Sequence, residues 1–251
     1  MAARFYVPGL QPSSGVAELP AGEAHHLVKV LRLDVGVIVG VFDGRGTEWR
    51  ARVETAGRGG VRVSLLEPVL SRRPSVDLTL VQAVLKGEPM DDVIRDATML
   101  GIAAIQPIVT SRTTVRSAAM VTAVERWRRV ALASAKQCGA ARLPDIGHVL
   151  KFDEWLPESL QDAFLLVEPS VAVAAVTIRQ LASAAVPSRA VLLVGPEGGW
   201  TEEERERATT AGCTPLSLGP MTLRAASVPL AAGAALLAIW DLPPEGGSHR
   251  R

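Results

Sequence analysis

Val191-Leu192-Leu193-Val194-Gly195-Pro196-Glu197-Gly198-Gly199-Trp200 is the stretch around which the rest of the chain arranges itself. Apolar residues, two of them β-branched, run into Gly195-Pro196, and Gly198-Gly199 follow. That pattern is a buried strand ending in a sharp turn. Thr201 then opens a helix, with Glu204 at capping-box spacing. In open α/β sheets, a strand end that meets a helix N-terminus through glycines is where ligands bind. No Lys-Ser/Thr pair follows the glycines and Gly-x-Gly-x-x-Gly is absent, so phosphate is not the expected ligand. Glu197, Glu202, Glu203, Glu204 and Glu206 would repel a polyphosphate and tolerate a neutral or cationic molecule. Taken alone, a plain strand-turn-helix whose acids favour the helix dipole explains the stretch equally well.

A second stretch, Leu216-Ser217-Leu218-Gly219-Pro220, repeats the strand end in Gly-Pro. Met221-Thr222-Leu223-Arg224 follows, then a helix of small residues to Trp240. Two such strand ends, one helix apart, can wall one pocket. Together they resemble the cofactor-binding motifs of SPOUT-class RNA methyltransferases, and more closely those of the RsmE family of small-subunit ribosomal RNA uridine methyltransferases.

Composition agrees with an intracellular globular protein. The chain has 251 residues, 48% hydrophobic and 21% charged, with a formal net charge of +1, which suits one large or two modest domains. Met1 to Leu10 lacks a basic region followed by an apolar core, so no signal peptide is expected. The most apolar run, Ala225 to Trp240, is too short to span a bilayer. Cys138 and Cys213, far apart in sequence, point to reduced thiols and a cytoplasmic location. The histidines offer no metal-ligand spacing, so no metal is expected. Between Ser111 and Lys151 stand eight basic residues (Arg112, Arg116, Arg126, Arg128, Arg129, Lys136, Arg142, Lys151) against Glu125 and Asp145. That excess suits a polyanion or, equally, a solvated helix face.

Residues 1–70 read as a small β-rich domain. Arg4 to Val7 is a strand, Glu23 to Leu31 a short helix, Val35 to Phe42 and Glu48 to Thr55 a hairpin, and Val61 to Leu66 a last strand. Arg-Phe-Tyr-Val, His-His-Leu-x-x-Val-Leu-Arg and the Phe-Asp-Gly turn resemble the PUA-like β-barrel domain of the RsmE family. That resemblance implies that Arg4, His26 and Arg32 face RNA; the residues alone favour local packing for His26 and solvation for Arg32.

Leu70 to Ser75 is the linker. From Asp77 strands and helices alternate, which argues for a mostly parallel sheet covered on both faces. The strands are Leu78–Leu85, Ala104–Val109, Ala163–Val167, Ala190–Val194 and Pro215–Leu218. The helices lie near Pro89–Leu100, Val121–Cys138, Val171–Ala185, Glu202–Ala211 and Ser227–Trp240. Residues 71–243 thus form an α/β domain, and 244–251 a Gly/Pro/Arg-rich flexible tail. The resemblance adds a deep trefoil knot in the C-terminal segment, with the cofactor seated in it.

Further segments are similar to the family's: Lys86-Gly87-x-x-Met90, Ala97-Thr98-x-Leu100-Gly101, Thr110 to Arg116, Arg126-Trp127, Gln137-Cys138-Gly139 and Val167-Glu168-Pro169. They reach from Arg4 to Leu242. Departures are Met99 and Lys136 where the family has Glu, and Ala140-Ala141 where it has Arg-Thr. In the Leu-Arg-x-Glu-Thr-Ala pattern, Ala226 stands where the acid belongs.

The resemblance implies transfer of a methyl group from S-adenosyl-L-methionine to uracil N3 in 16S ribosomal RNA, inside the small ribosomal subunit, by a homodimer. It assigns Glu168, Gly195, Glu197, Gly199, Leu218, Gly219 and Leu223 to the cofactor, and Arg224 to charge developing on the base. Lys86, Arg112 and Arg116 are phosphate-contact candidates. The apolar helix from Ser227 to Trp240 would be buried on several sides, by a subunit interface or by the core. Loss of the acid at Ala226 leaves open an RNA-binding protein of the same fold with weak catalysis. A SPOUT enzyme acting on another ribosomal or transfer RNA site, or a nucleotide-dependent α/β enzyme, also stays open.

Overall fold

The computed structural model describes residues 2–57, 59–71, 73–115, 120–171 and 174–241. The chain divides into two compact units. The first is Met1–Arg73 with Leu132–Leu143, and the second is Pro74–Ala131 with Pro144–Arg251.

In the first unit, β1 (Arg4–Tyr6), β2 (Val16–Glu18), β3 (Ile38–Phe42), β4 (Glu48–Gly57) and β5 (Gly60–Pro68) form a sheet of order β1-β3-β4-β5-β2. Among the described residues of this sheet, β1–β3 is the parallel pair and the others are antiparallel. Side chains alternate in and out along β4 and β5, so one face is core and the other solvent. Phe5, Leu27, Val39, Val41, Val53 and Val63 form that core. Between β2 and β3 lies a short helix, α1 (Ala21–His25), which continues as a π-helical turn, His26–Val30.

The second unit is a parallel sheet. Its strands are β6 (Asp77–Ala83), β7 (Ala104–Val109), β8 (Asp145–Ile146), β9 (Leu150–Lys151), β10 (Ala163–Leu166), β11 (Val176–Thr177), β12 (Arg189–Val194) and β13 (Thr214–Ser217). The order is β11-β13-β10-β12-β6-β7-β8, with β9 also on β7, and every pair is parallel. β10 is buried along its whole length, which is why its sequence is a continuous apolar run rather than an alternation.

Helices cover both faces. α2 (Glu88–Leu100) buries Met90, Val93, Ile94 and Ala97, an apolar stripe at helical spacing. α3 (Met120–Cys138) contributes Val124, Trp127 and Ala131 to the same core, and α7 (Val228–Trp240) contributes Ala232, Leu236, Leu237 and Trp240. On the other face α4 (Phe152–Trp155) and α6 (Glu202–Thr210) bring Phe152 and Ala208 against Val81, Leu165 and Leu193.

The expected helix at Val171–Ala185 is not what forms. A 3-10 turn, Pro169–Val171, is followed by β11 and then by α5 (Ile178–Leu181). Thr177 caps α5 by accepting from Gln180 N–H, and Gln180 returns the bond. That local signal outweighs the alanine-rich periodicity before it. The strands β2, β8 and β9 were not anticipated; each has three residues or fewer. Leu132–Leu143 joins the first unit, an allocation absent from the expected boundary at residue 70. The expected tail at 244–251 lies outside the described residues.

Candidate active site

Parallel strands place their carboxyl ends on one side of the sheet, and β13, β10 and β12 are neighbours. The three connections that leave them therefore converge. Val167-Glu168-Pro169 leaves β10, Gly195 to Trp200 leaves β12, and Leu218 to Leu223 leaves β13. Between them lies a cavity of about 180 Å³. One ordered water needs only about 10–15 Å³, so the cavity takes a small organic molecule.

Glu168, Gly195, Glu197, Gly199, Leu218, Gly219 and Leu223 all line it. Its apolar walls include Leu166, Val194, Trp200 and Val228. Trp200 is a fixed wall: its indole Nε1 donates to Leu166 O at 3.1 Å, and its ring packs on Phe152 at 5.6 Å. A Cβ at Gly195 would stand 3.1 Å from that indole. Gly199 has φ +68°, and a Cβ there would meet the Glu168 carboxylate at 2.7 Å. Both glycines are thus required by space or by backbone conformation.

The turn is tied down. Thr201 Oγ1 accepts from Glu204 N–H at 3.2 Å, and the Glu204 carboxylate accepts from Thr201 N–H at 2.9 Å, the expected capping box. Glu197 accepts from Lys86 N–H at 3.3 Å, which joins the turn to the segment that follows β6. Arg112 Nη1 donates to Gly198 O at 2.8 Å and to Trp200 O at 3.3 Å, so Arg112 also lines the cavity.

An RNA methyltransferase domain model matches residues 72–237, and an RNA methyltransferase PUA domain model matches residues 19–66. The Ribosomal RNA small subunit methyltransferase E of Synechocystis sp. is 33% identical over 96% of this chain and 79% of its own length. That of Mycobacterium bovis is 33% identical over 94% of this chain and 93% of its own. The chain belongs to the ribosomal RNA small subunit methyltransferase E family. A crystal structure of the Neisseria gonorrhoeae member bound to S-adenosyl methionine superposes with a TM-score of 0.85 at 28% identity, covering 96% of this chain and 98% of that one. A Legionella pneumophila protein with bound cofactor SAM gives 0.83 at 28% identity, covering 95% and 98%.

The remaining expected residues are dispersed. Arg224 is exposed and does not line the cavity, although Leu223 and Ala225 on either side of it do. Lys86 is exposed beside the turn. Arg32 is exposed at φ +52°, a left-handed conformation, and His26 is half-buried, its ring in a T-shaped pair with Phe5 at 6.3 Å. Arg116 lies outside the described residues.

Arg4 is a correction. Its side chain is 6% exposed and cannot face RNA. Nε and Nη2 form a bidentate pair with Glu48 at 2.9 and 2.8 Å, Nη1 donates to Ala135 O and Nη2 to Ala140 O, and the guanidinium lies over the Phe42 ring. The fork of donors that suits phosphate is filled from within the first unit.

The basic segment is likewise drawn into internal partners. Arg126 pairs with Asp91, Arg128 with Glu125 and the Ile146 carbonyl, Lys136 with Glu23, and Lys151 with Glu154. The Asp91 pair raises the Arg126 pKa.

Trp200, Arg205, Met221 and Thr222 also line the cavity and were not singled out. Three of them sit in or beside the quoted motifs. Arg205 is hidden inside an acidic run, where its neighbours dominate the reading. Among the described residues no group of His, Cys, Asp or Glu could hold a metal ion, and no helix is long and apolar enough to cross a membrane.

Proposed function

We propose that this protein methylates N3 of a uridine in 16S ribosomal RNA, with S-adenosyl-L-methionine held in the cleft at the ends of β10, β12 and β13. The observation that carries the reading is the convergence of Glu168, Gly195, Glu197, Gly199, Leu218, Gly219 and Leu223 on one cavity. The residues present fit the cofactor: apolar walls for an adenine, carboxylates for a cationic sulfonium and ammonium, and glycines where any side chain would fill the cradle. S-adenosyl-L-methionine supplies a methyl group already activated by its sulfonium. Backbone groups of Gly195, Leu218, Gly219 and Leu223 would hold the molecule, and the carboxylates of Glu168 and Glu197 would balance its positive charge. Aligning acceptor and methyl in line is the main catalytic demand. The target base must leave any pairing to present N3.

Arg224 is the proposed catalytic residue. A permanent cation there stabilises negative charge spreading onto the uracil oxygens as the N3 proton passes to water. Ala226 supplies no carboxylate to orient it. Replacing Arg224 with Ala should lower kcat on small-subunit RNA by about 10²-fold or more, in line with loss of one charge-stabilising group. The cofactor Kd from calorimetry should be unchanged. Equal kcat in the variant would remove Arg224 from the chemistry.

The domain assignment belongs to the same proposal. Residues 1–70 serve as a PUA-like RNA-binding domain with His26 and Arg32 toward RNA. Residues 71–243 are the SPOUT domain, with Lys86, Arg112 and Arg116 as phosphate contacts. The sheet order supports a knotted C-terminal segment: β12 lies between the earlier β6 and β10, β13 lies beyond β10, and α7 packs back on α2.

We also propose a cytoplasmic homodimer acting on the assembled subunit. Leu230, Ala234 and Ala238 form an exposed apolar stripe on α7, and Met221 and Leu223 in the cleft's lining are exposed as well. A second copy would cover it. Light scattering should give a dimer mass that Leu230→Glu converts to monomer; a wild-type monomer at assay concentration would reject the dimer.

A further inference from the structure

Glu204 is 5% exposed, a carboxylate almost wholly out of water. A buried charge is tolerated only when donors meet its lone pairs. Its Oε2 accepts from Thr201 N–H at 2.9 Å, and the helix cap accounts for that bond. The cap does not account for the other: Oε1 accepts from Ser111 N–H at 2.7 Å, in the loop after β7, 93 residues away in sequence.

That loop is itself built. Thr110 N–H donates to Thr113 Oγ1 at 3.0 Å, and Thr113 N–H to Thr110 O at 3.1 Å. From the same loop Arg112 serves the opposite polarity of the glycine turn, through the Gly198 and Trp200 carbonyls. A Cβ on Gly198 would come within 3.2 Å of Arg112 Cβ, so the two segments are in close contact. The turn's donor end is therefore held by Glu204 and its acceptor end by Arg112, with Arg205 Nη1 also donating to Trp200 O at 3.3 Å; of these, Glu204 and Arg112 tie the turn to one loop.

We infer that Glu204 and Arg112 are positioning residues for the cofactor: together they lock the glycine turn Gly195–Trp200 to the loop Thr110–Thr113 and thereby set the shape of the cleft. The inference rests on reading that cleft as the S-adenosyl-L-methionine site. Glu204 acts only through backbone groups and does not line the cavity, whereas Arg112 lines it. In Glu204→Gln one carboxylate oxygen becomes an amide NH₂, which faces a backbone N–H and can accept nothing from it. In Arg112→Ala, an exposed position, the Gly198 carbonyl loses its arginine and Trp200 O keeps only Arg205, without disturbing the core.

The test is calorimetric titration of the full-length wild type, Glu204→Gln and Arg112→Ala with S-adenosyl-L-methionine, with the thermal midpoint of each measured alongside. A purely structural role lowers the midpoint or the fraction of chains that bind and leaves Kd untouched. Positioning raises Kd by about tenfold among the molecules that do bind, a modest share of the ~10²-fold that a 1 Å misplacement can cause. Unchanged Kd in either folded variant overturns the inference and leaves the cofactor site standing. If Glu204→Gln does not fold, Ser111→Pro, which removes the N–H that Glu204 Oε1 meets at an exposed position outside the cavity, takes its place. A wild type that does not bind the cofactor overturns the site assignment and this inference together.

Discussion

Arg4 shows how one residue's role depends on partners far along the chain. As Arg-Phe-Tyr-Val it resembles an RNA-facing motif, but Glu48, 44 residues on, and the carbonyls of Ala135 and Ala140 claim its donors. No local pattern carries that information. Removing one member of a buried pair strands the other charge, so Arg4→Ala should lower stability by roughly 3–5 kcal/mol in denaturant titration. A change under about 1 kcal/mol, typical of exposed pairs, would contradict the buried role. Cys213 gives a second test at this scale. Burial pushes its thiol up to about 11, above its ordinary value of about 9. The unfolded chain then loses this proton at lower pH than the folded one, so the contribution falls as pH rises from about 9 to about 11. The wild type should lose stability faster than Cys213→Ala across that window, by at most about 1.4 kcal/mol per pH unit. Parallel curves would rule the effect out. The glycines of the cleft, by contrast, were readable, because a glycine after a strand has few reasons to be there.

Elements were legible where their periodicity was long. α2 and α7, and the strands β7, β10 and β12, formed close to where the hydrophobic pattern put them. The alanine-rich stretch after Glu168 misleads because small residues fit many conformations and the stronger signal is the polar cap at Thr177. The turn between β12 and α6 is the element on which the cleft depends. In Gly199→Ala, the exposed Glu168 can swing aside from the new methyl, but φ +68° cannot be relieved. The left-handed conformation should cost about 1–2 kcal/mol, and cofactor affinity should fall with it. Wild-type affinity and stability in that variant would mean that the turn has another conformation in solution.

At the scale of the whole molecule, strand order decides the site. β13, β10 and β12 are scattered in sequence, yet their neighbouring carboxyl ends bring three connections to one cleft. Sequence alone gives the motifs and not their adjacency; here family resemblance supplied it, and the sheet register accounts for it physically. The sharing of Leu132–Leu143 with the first unit had no such signal, since a helix pattern does not say where its last turns pack. The central claim is methyl transfer to N3 of a uridine in small-subunit RNA. Its most direct test supplies labelled S-adenosyl-L-methionine with unmodified small ribosomal subunits, naked small-subunit RNA or bulk transfer RNA, followed by nucleoside mass analysis. 3-Methyluridine is expected in the small-subunit substrates and none in transfer RNA. Label in a different nucleoside, or no label while the cofactor binds, would contradict it.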